Sequence, residues 1–339
     1  MAAVIPGTPA WLEQVKEEIV EPERRIIDPH HHLWDAPDRG SYLLEDLWGD
    51  TESGHRIEKT VFVECSASYR DAGPEHLQPV GETEFVAEIA AASAAGGTDS
   101  ATIAGIVAHA DLTRGDALEE VLHAHEEAGR GLFRGIRHAG ARDPHPKDLT
   151  IAGRAPESLY AGDAFRQGMR VLGRLGLTYD TWHYHHQNSA FADLARAVPE
   201  TTMILDHFGT PLGVGRYRDR REEIFQAWKA DIAEIARFPN VVAKLGGLAM
   251  PDNGFGWNEC DVPPSSDEFT EAQRRYYLQT IECFGPERCM FESNFPVDKL
   301  SLSYHVLWNG LKKIVVDFSE DEKDAMFYRT AARVYRLHG

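Results

Sequence analysis

Cysteine is scarce in this 339-residue sequence, and its four thiols, Cys65, Cys260, Cys283 and Cys289, form no Cys-x-x-Cys pair. That excludes a small disulfide-stapled fold and predicts a reducing, cytoplasmic setting. Long apolar runs are also missing. Residues 1–25 carry Glu13, Glu17, Glu18 and Glu21, so neither a signal peptide nor a membrane span is predicted. Positive charge is in deficit, with 35 Lys and Arg against 54 Asp and Glu and a formal net charge of -19. Nucleic-acid affinity comes mainly from clustered cations that release counterions, so no nucleic-acid partner is expected, nor an anionic membrane. Fixed-period repeats, low-complexity segments and linkers rich in Pro, Gly or Ser are absent too, which leaves one domain over residues 25–339 behind an extension over 1–24.

What is present is a hydrophobic fraction of 42%, enough for a large core. Eight short apolar or β-branched runs recur, at 25–28, 60–65, 102–108, 132–136, 177–181, 202–206, 241–245 and 288–293. Between them, stretches such as 82–95, 116–128, 163–175, 189–198, 221–238 and 267–284 place apolar residues at three- and four-residue spacing. Such alternation predicts parallel strands with crossover helices, an α/β fold of the (β/α)8 TIM-barrel type. Ser319 and Glu322 form a capping-box pattern opening a last helix to about Leu337, with Phe327, Ala331 and Val334 on one face, expected to close the outer ring. Irregular segments at 36–54, 66–81, 138–162 and 250–264 each follow a candidate strand, where a barrel builds its active-site loops.

Polar residues gather at the ends of these runs. The first ends in Asp28-Pro29-His30-His31-His32. Residues two apart on an extended chain point the same way, so His30 and His32 can aim at one point. Pro29 lacks a backbone donor and predicts that the strand stops near Asp28. Asp28 is read as a group that orients its neighbours. Other runs end in Glu64; His109 and Asp111; Arg137 and His138; His183 and His185; Asp206 and His207; Lys244; and Asn294. In a barrel, such groups converge on one pocket. Each also has a plainer reading: His109, Asp111 and His138 as loop caps, the cations as neutralisers of nearby carboxylates.

On Asp28-Pro29-His30-His31-His32-Leu33-Trp34, Phe133-Arg134-Gly135-Ile136-Arg137-His138, Leu205-Asp206-His207-Phe208-Gly209-Thr210-Pro211, Val242-Ala243-Lys244-Leu245-Gly246-Gly247-Leu248 and Met290-Phe291-Glu292-Ser293-Asn294-Phe295-Pro296-Val297-Asp298, the chain resembles the amidohydrolase-related family. That group of metal-dependent TIM-barrel hydrolases includes sugar-lactone and 2-pyrone-4,6-dicarboxylate lactonases. By this resemblance His30, His32, His207 and His185 are the metal and catalytic histidines. Where the family usually carries Gly-Ser-Asp-Trp-Pro, this chain has Glu292-Ser293-Asn294-Phe295-Pro296. Asn294 thus stands for the ligating aspartate, and an amide is a weak ligand and no base. A divalent metal, zinc or manganese, is therefore expected to bind weakly or not at all.

The chemistry implied is hydrolysis of a small, anionic, carboxylated lactone by activated water in catabolism. Glu64, Asp206, Asp298 or a histidine would have to accept the proton. Arg137, with Arg70 or Lys244, would grip a substrate carboxylate, and Asp298 belongs to the same binding set. Two alternatives are a metal-assisted non-oxidative decarboxylase and a non-catalytic small-molecule binder. A homo-oligomer stays open as an assembly.

Overall fold

The computed structural model describes residues 5–37, 39–97 and 100–337. Eight strands lie in chain order, every neighbouring pair parallel: β1 (Arg25–His31), β2 (Arg56–Val63), β3 (Thr102–Ala108), β4 (Phe133–Arg137), β5 (Thr178–Thr181), β6 (Met203–Leu205), β7 (Val241–Leu245) and β8 (Cys289–Phe291). The ring closes just past β8, where Asn294 N–H donates to His30 O at 3.0 Å and His32 N–H to Phe295 O at 2.8 Å. Crossover helices cover the outside, including Val80–Ala94, Asp163–Leu175, Arg221–Ile235 and Ser266–Phe284. The barrel expected from alternation is the barrel observed.

Three local expectations change. Pro29 does not end the first strand. The register between β1 and β2 slips between Asp28 and His31, a bulge that leaves Pro29 without a ladder partner to supply and lets the strand run on to His31. The segment 36–54 is not irregular throughout, since a ribbon pairs Trp34–Ala36 with Gly40–Tyr42 and a helix spans Leu44–Thr51. The last helix keeps its capping box, Ser319 with Glu322. It is split by a π-helical turn at Ala325–Arg329, so its two halves face different cores.

Phe327 packs in the outer layer, 4.6 Å from the Phe291 ring. Beyond the turn, Ala331, Val334, Tyr335 and Leu337 join Ile27, Val61, Val63, Val107, Ile204, Val242 and Met290 in a second core inside the barrel. Arg336 donates to Gly176 O and Arg134 O, next to the starts of β5 and β4. The chain end therefore plugs the amino-terminal floor of the barrel, and the functional groups are confined to the opposite end. Burial of each large apolar side chain there contributes about 1.5–3 kcal/mol.

Candidate active site

Side chains two residues apart on a strand share a face. Above the apolar Ile204, Val242 and Met290 of the inner core therefore stand Asp206, Lys244 and Glu292, all fully buried. Glu292 is central. Its Oε1 lies 2.7 Å from His207 Nδ1 and its Oε2 2.7 Å from His30 Nδ1. The His30 ring centroid is 4.6 Å from that of His207 and 4.9 Å from that of His32. Lys244 Nζ donates to Asp180 Oδ1 at 2.7 Å and lies 3.5 Å from Asp206 Oδ1 and 3.4 Å from His30 Nδ1. From the floor, Tyr335 OH donates to the same Asp180 oxygen at 2.5 Å.

Backbone shape makes this cluster. After β6 the chain turns through His207 and Phe208 in the left-handed region, φ 53° and 59°, which swings the His207 ring over the barrel. Two glycines after β7 make room for it. A Cβ on Gly247 would sit 2.1 Å from His207 Nδ1, and one on Gly246 would sit 2.3 Å from Glu292 O. Asp28 accepts from the backbone N–H groups of His30 and Ser293 and from Tyr304 OH, tying β1 to the strand-eight turn.

Electrostatics keep the imidazoles neutral. Burial, then the Lys244 ammonium, holds His30 well below the ordinary histidine value, and burial takes His207 down to about 3. Burial also pushes the Glu292 carboxyl up to about 8. His32 Nδ1 is 2.8 Å from Val63 O, a pure acceptor, so Nδ1 carries the proton and Nε2 keeps its lone pair. One nitrogen from each of His30 and His207 and an oxygen of Glu292 lie within 4.8 Å of one another. Both Asp206 oxygens are buried and accept no hydrogen bond among the described residues, their nearest cation being Lys244 Nζ at 3.5 Å from Oδ1. Neutral imidazoles, the Glu292 carboxyl and the unbonded Asp206 oxygens fit a divalent cation of the zinc or manganese kind, whose charge would hold these buried acids ionised.

Of the residues named from sequence, His30, His32 and His207 come together, with Lys244 and Asp206 beneath them. His185 does not join them. Its Nδ1 accepts from Leu212 N–H at 3.3 Å and its ring packs edge-on to Tyr217, in a separate rim pocket. Asn294 also turns away, because its left-handed backbone (φ 57°) aims the amide at Asp298, Nδ2 to Oδ1 at 2.9 Å. Asp298 is completed by Ala249 N–H, so it clips the loops after β7 and β8 together. Arg137 is committed to Glu64, Nε to Oε1 at 2.8 Å and Nη2 to the backbone oxygen, with Nη1 3.4 Å from His30 Nε2. Burial beside a carboxylate makes it an internal counter-ion instead of a free carboxylate clamp. Arg70 pairs with Glu84 on the exterior. Asp111 caps the next turn through Thr113, and His138 accepts Leu112 N–H, the plainer reading of both. Sequence reasoning missed Glu292, Asp180 and Tyr335. Glu292 was readable as an acid two residues after inward-facing Met290.

An uncharacterised protein of Sinorhizobium fredii is 31% identical over 338 residues, covering 92% of this chain and 98% of the relative. An L-fucono-1,5-lactonase of Burkholderia multivorans is 28% identical over 326 residues, covering 92% and 96%. Among solved structures, an amidohydrolase from Burkholderia multivorans with bound zinc superposes with a TM-score of 0.71 at 22% identity, over 92% of this chain and 99% of that one. Residues 27–337 match the amidohydrolase family, and the chain belongs to that family of enzymes.

Proposed function

We propose that this protein opens a small lactone by attack of water, and that the His30–Glu292–His207 cluster is where it does so. The observation that carries the reading is the convergence of two neutral imidazoles on one buried carboxylate, at the strand ends of a barrel related to lactonases. A divalent ion held by His30, His207 and Glu292 would supply Lewis acidity toward an ester carbonyl. The His32 lone pair at Nε2 is oriented by Val63 O and can take a proton from the attacking water. Lys244 and Arg137 place fixed positive charge on either side of His30, where charge developing on the carbonyl oxygen is stabilised. Lys244 is itself held by Asp180, which Tyr335 OH fixes in turn, so it is positioned before substrate arrives.

The test is a panel of sugar-derived and carboxylated lactones followed by proton release, with metal content measured on the same samples. Turnover is expected, and Glu292→Gln should lower kcat/KM on the order of 100-fold or more while reducing bound metal. Release of bicarbonate from aromatic or unsaturated acids, with every lactone left intact, would show a decarboxylase instead.

A further inference from the structure

His185, excluded from the central cluster, lines a rim pocket of about 310 Å³ with Pro144, His186, Arg216, Tyr217 and Arg220. Its walls come from the loops after β4, β5 and β6, the strands that also deliver Arg137, Asp180 and His207. The link to the centre is short. Thr210 N–H donates to His207 O, His185 N–H donates to Thr210 O, and Leu212 N–H donates to His185 Nδ1.

The pocket combines flat rings with spare donors. Tyr217 meets His185 edge-on at 5.3 Å and His186 in a stack at 6.3 Å. Asp143, itself buried, fixes that wall by accepting from Tyr217 OH at 2.7 Å and pairing with His186 Nε2 at 3.1 Å. With Nδ1 of His185 accepting a backbone N–H, its Nε2 carries the proton, and that N–H has no acceptor among the described residues. The Arg216 guanidinium packs 5.8 Å from the Tyr217 ring and has no ion-pair partner among the described residues. Arg220 is paired with Glu223 at the exposed edge. Arg216, Arg218, Arg220 and Arg221 fall within six residues of a chain whose net charge is -19. Among the described residues no acid lines the pocket itself, Asp143 standing behind the wall and already bonded to His186 and Tyr217. A guanidinium fork, an imidazole N–H and an aromatic wall suit an oxyanion carried on a small ring.

We propose that the pocket of His185, Arg216 and Tyr217 is an oxyanion-recognition site that takes the acid group of a small cyclic acid. It fills the role expected of Arg137, and it deepens the lactone reading by making the preferred substrate an acid. The same chemistry would also hold free phosphate, and the experiment separates the two sources.

Inorganic phosphate is titrated calorimetrically into the intact protein and into Arg216→Gln/Arg220→Gln, and a carboxylated and a neutral lactone are compared kinetically. Phosphate affinity should fall about tenfold or more in the double variant. Phosphate should compete with the carboxylated lactone, whose KM should rise about tenfold relative to that of the neutral one. Arg216→Lys should recover only part of the loss, since an ammonium lacks the fork. Phosphate affinity equal in both proteins overturns the site. Arginine-dependent binding that neither competes with nor discriminates between lactones overturns the substrate assignment and leaves a free-anion site. If no lactone is turned over, the functional reading fails while the titration still decides the pocket.

Discussion

Gly247 shows how narrowly the site is built. Its φ of +71° is costly for any residue with a Cβ, and that Cβ would fall 2.1 Å from His207 Nδ1. Gly247→Ala should therefore displace the His207 ring from Glu292. Stability should fall by about 1–2 kcal/mol from the backbone conformation, while activity drops far more than that loss accounts for. Equal activity in folded Gly247→Ala would show that His207 does not need its place. Asn294 has the opposite lesson. Its position in a family motif suggested a crippled metal ligand, but its amide serves Asp298, a carboxyl that burial pushes up to about 8. Asn294→Asp sets a second acid against Asp298. Melting temperature should fall, more at pH 8 than at pH 6 as the pair is forced to ionise, and metal occupancy should not rise. The histidines were legible as polar groups on strand ends. Glu292 is harder to read, because it sits within the apolar run 288–293 and only its spacing of two from Met290 marks it.

Helices were readable where one face is wet and one dry, and strands as short apolar runs buried on both faces. The strands after β1 and the helix Asp163–Leu175 follow directly from period and length. The helix Tyr304–Ile314 has an amphipathic pattern, Tyr304, Leu307, Trp308 and Leu311 on one face and His305, Asn309, Lys312 and Lys313 on the other, but its polar face is covered too, Asn309 donating to Glu17 and Lys312 to the Val20 and Glu21 backbone oxygens. Gly310 lies there because a Cβ would meet Phe269 Cδ1 at 2.3 Å. The two-sided last helix is the same problem in another form, since a π-helical turn redirects one apolar pattern into two cores. Its tip makes a testable link from floor to site. Tyr335→Phe keeps the ring in the inner core but removes a hydrogen bond to Asp180. We expect a loss of about 1–3 kcal/mol. A lower kcat with unaltered KM should accompany it if Lys244 is positioned through Asp180, and a change in stability alone would confine Tyr335 to packing.

For the whole molecule, the balance of buried ionisable groups fixes a pH of greatest stability that does not depend on the central cluster. Burial holds His55 down to about 3 and His125, His138, His183 and His185 down to about 4. Each is neutral when folded and titrates near 6.5 when unfolded, so its contribution is complete above about 6.5 and is lost as pH falls toward 4. Buried acids act in the other direction, Glu82 and Asp298 most strongly among those away from the central cluster. Burial, with Glu64 nearby, raises Glu82, and burial raises Asp298 to about 8. Their contribution is complete below about 4, the unfolded value, and is lost as pH rises through 8. Between pH 4 and 6.5 the histidines outnumber these acids and stability climbs; above 6.5 the acids still titrate and it declines, opposed near pH 8 by Lys312, which burial lowers to about 8. The net charge of -19 deepens the alkaline limb by self-repulsion. Thermal melts at constant ionic strength with a chelator present should therefore peak near pH 6.5 and fall by several degrees toward pH 8. A melting temperature that rises steadily to pH 8 would mean that Glu82 and Asp298 are already ionised in the folded chain, each with a cationic partner that the described contacts do not supply.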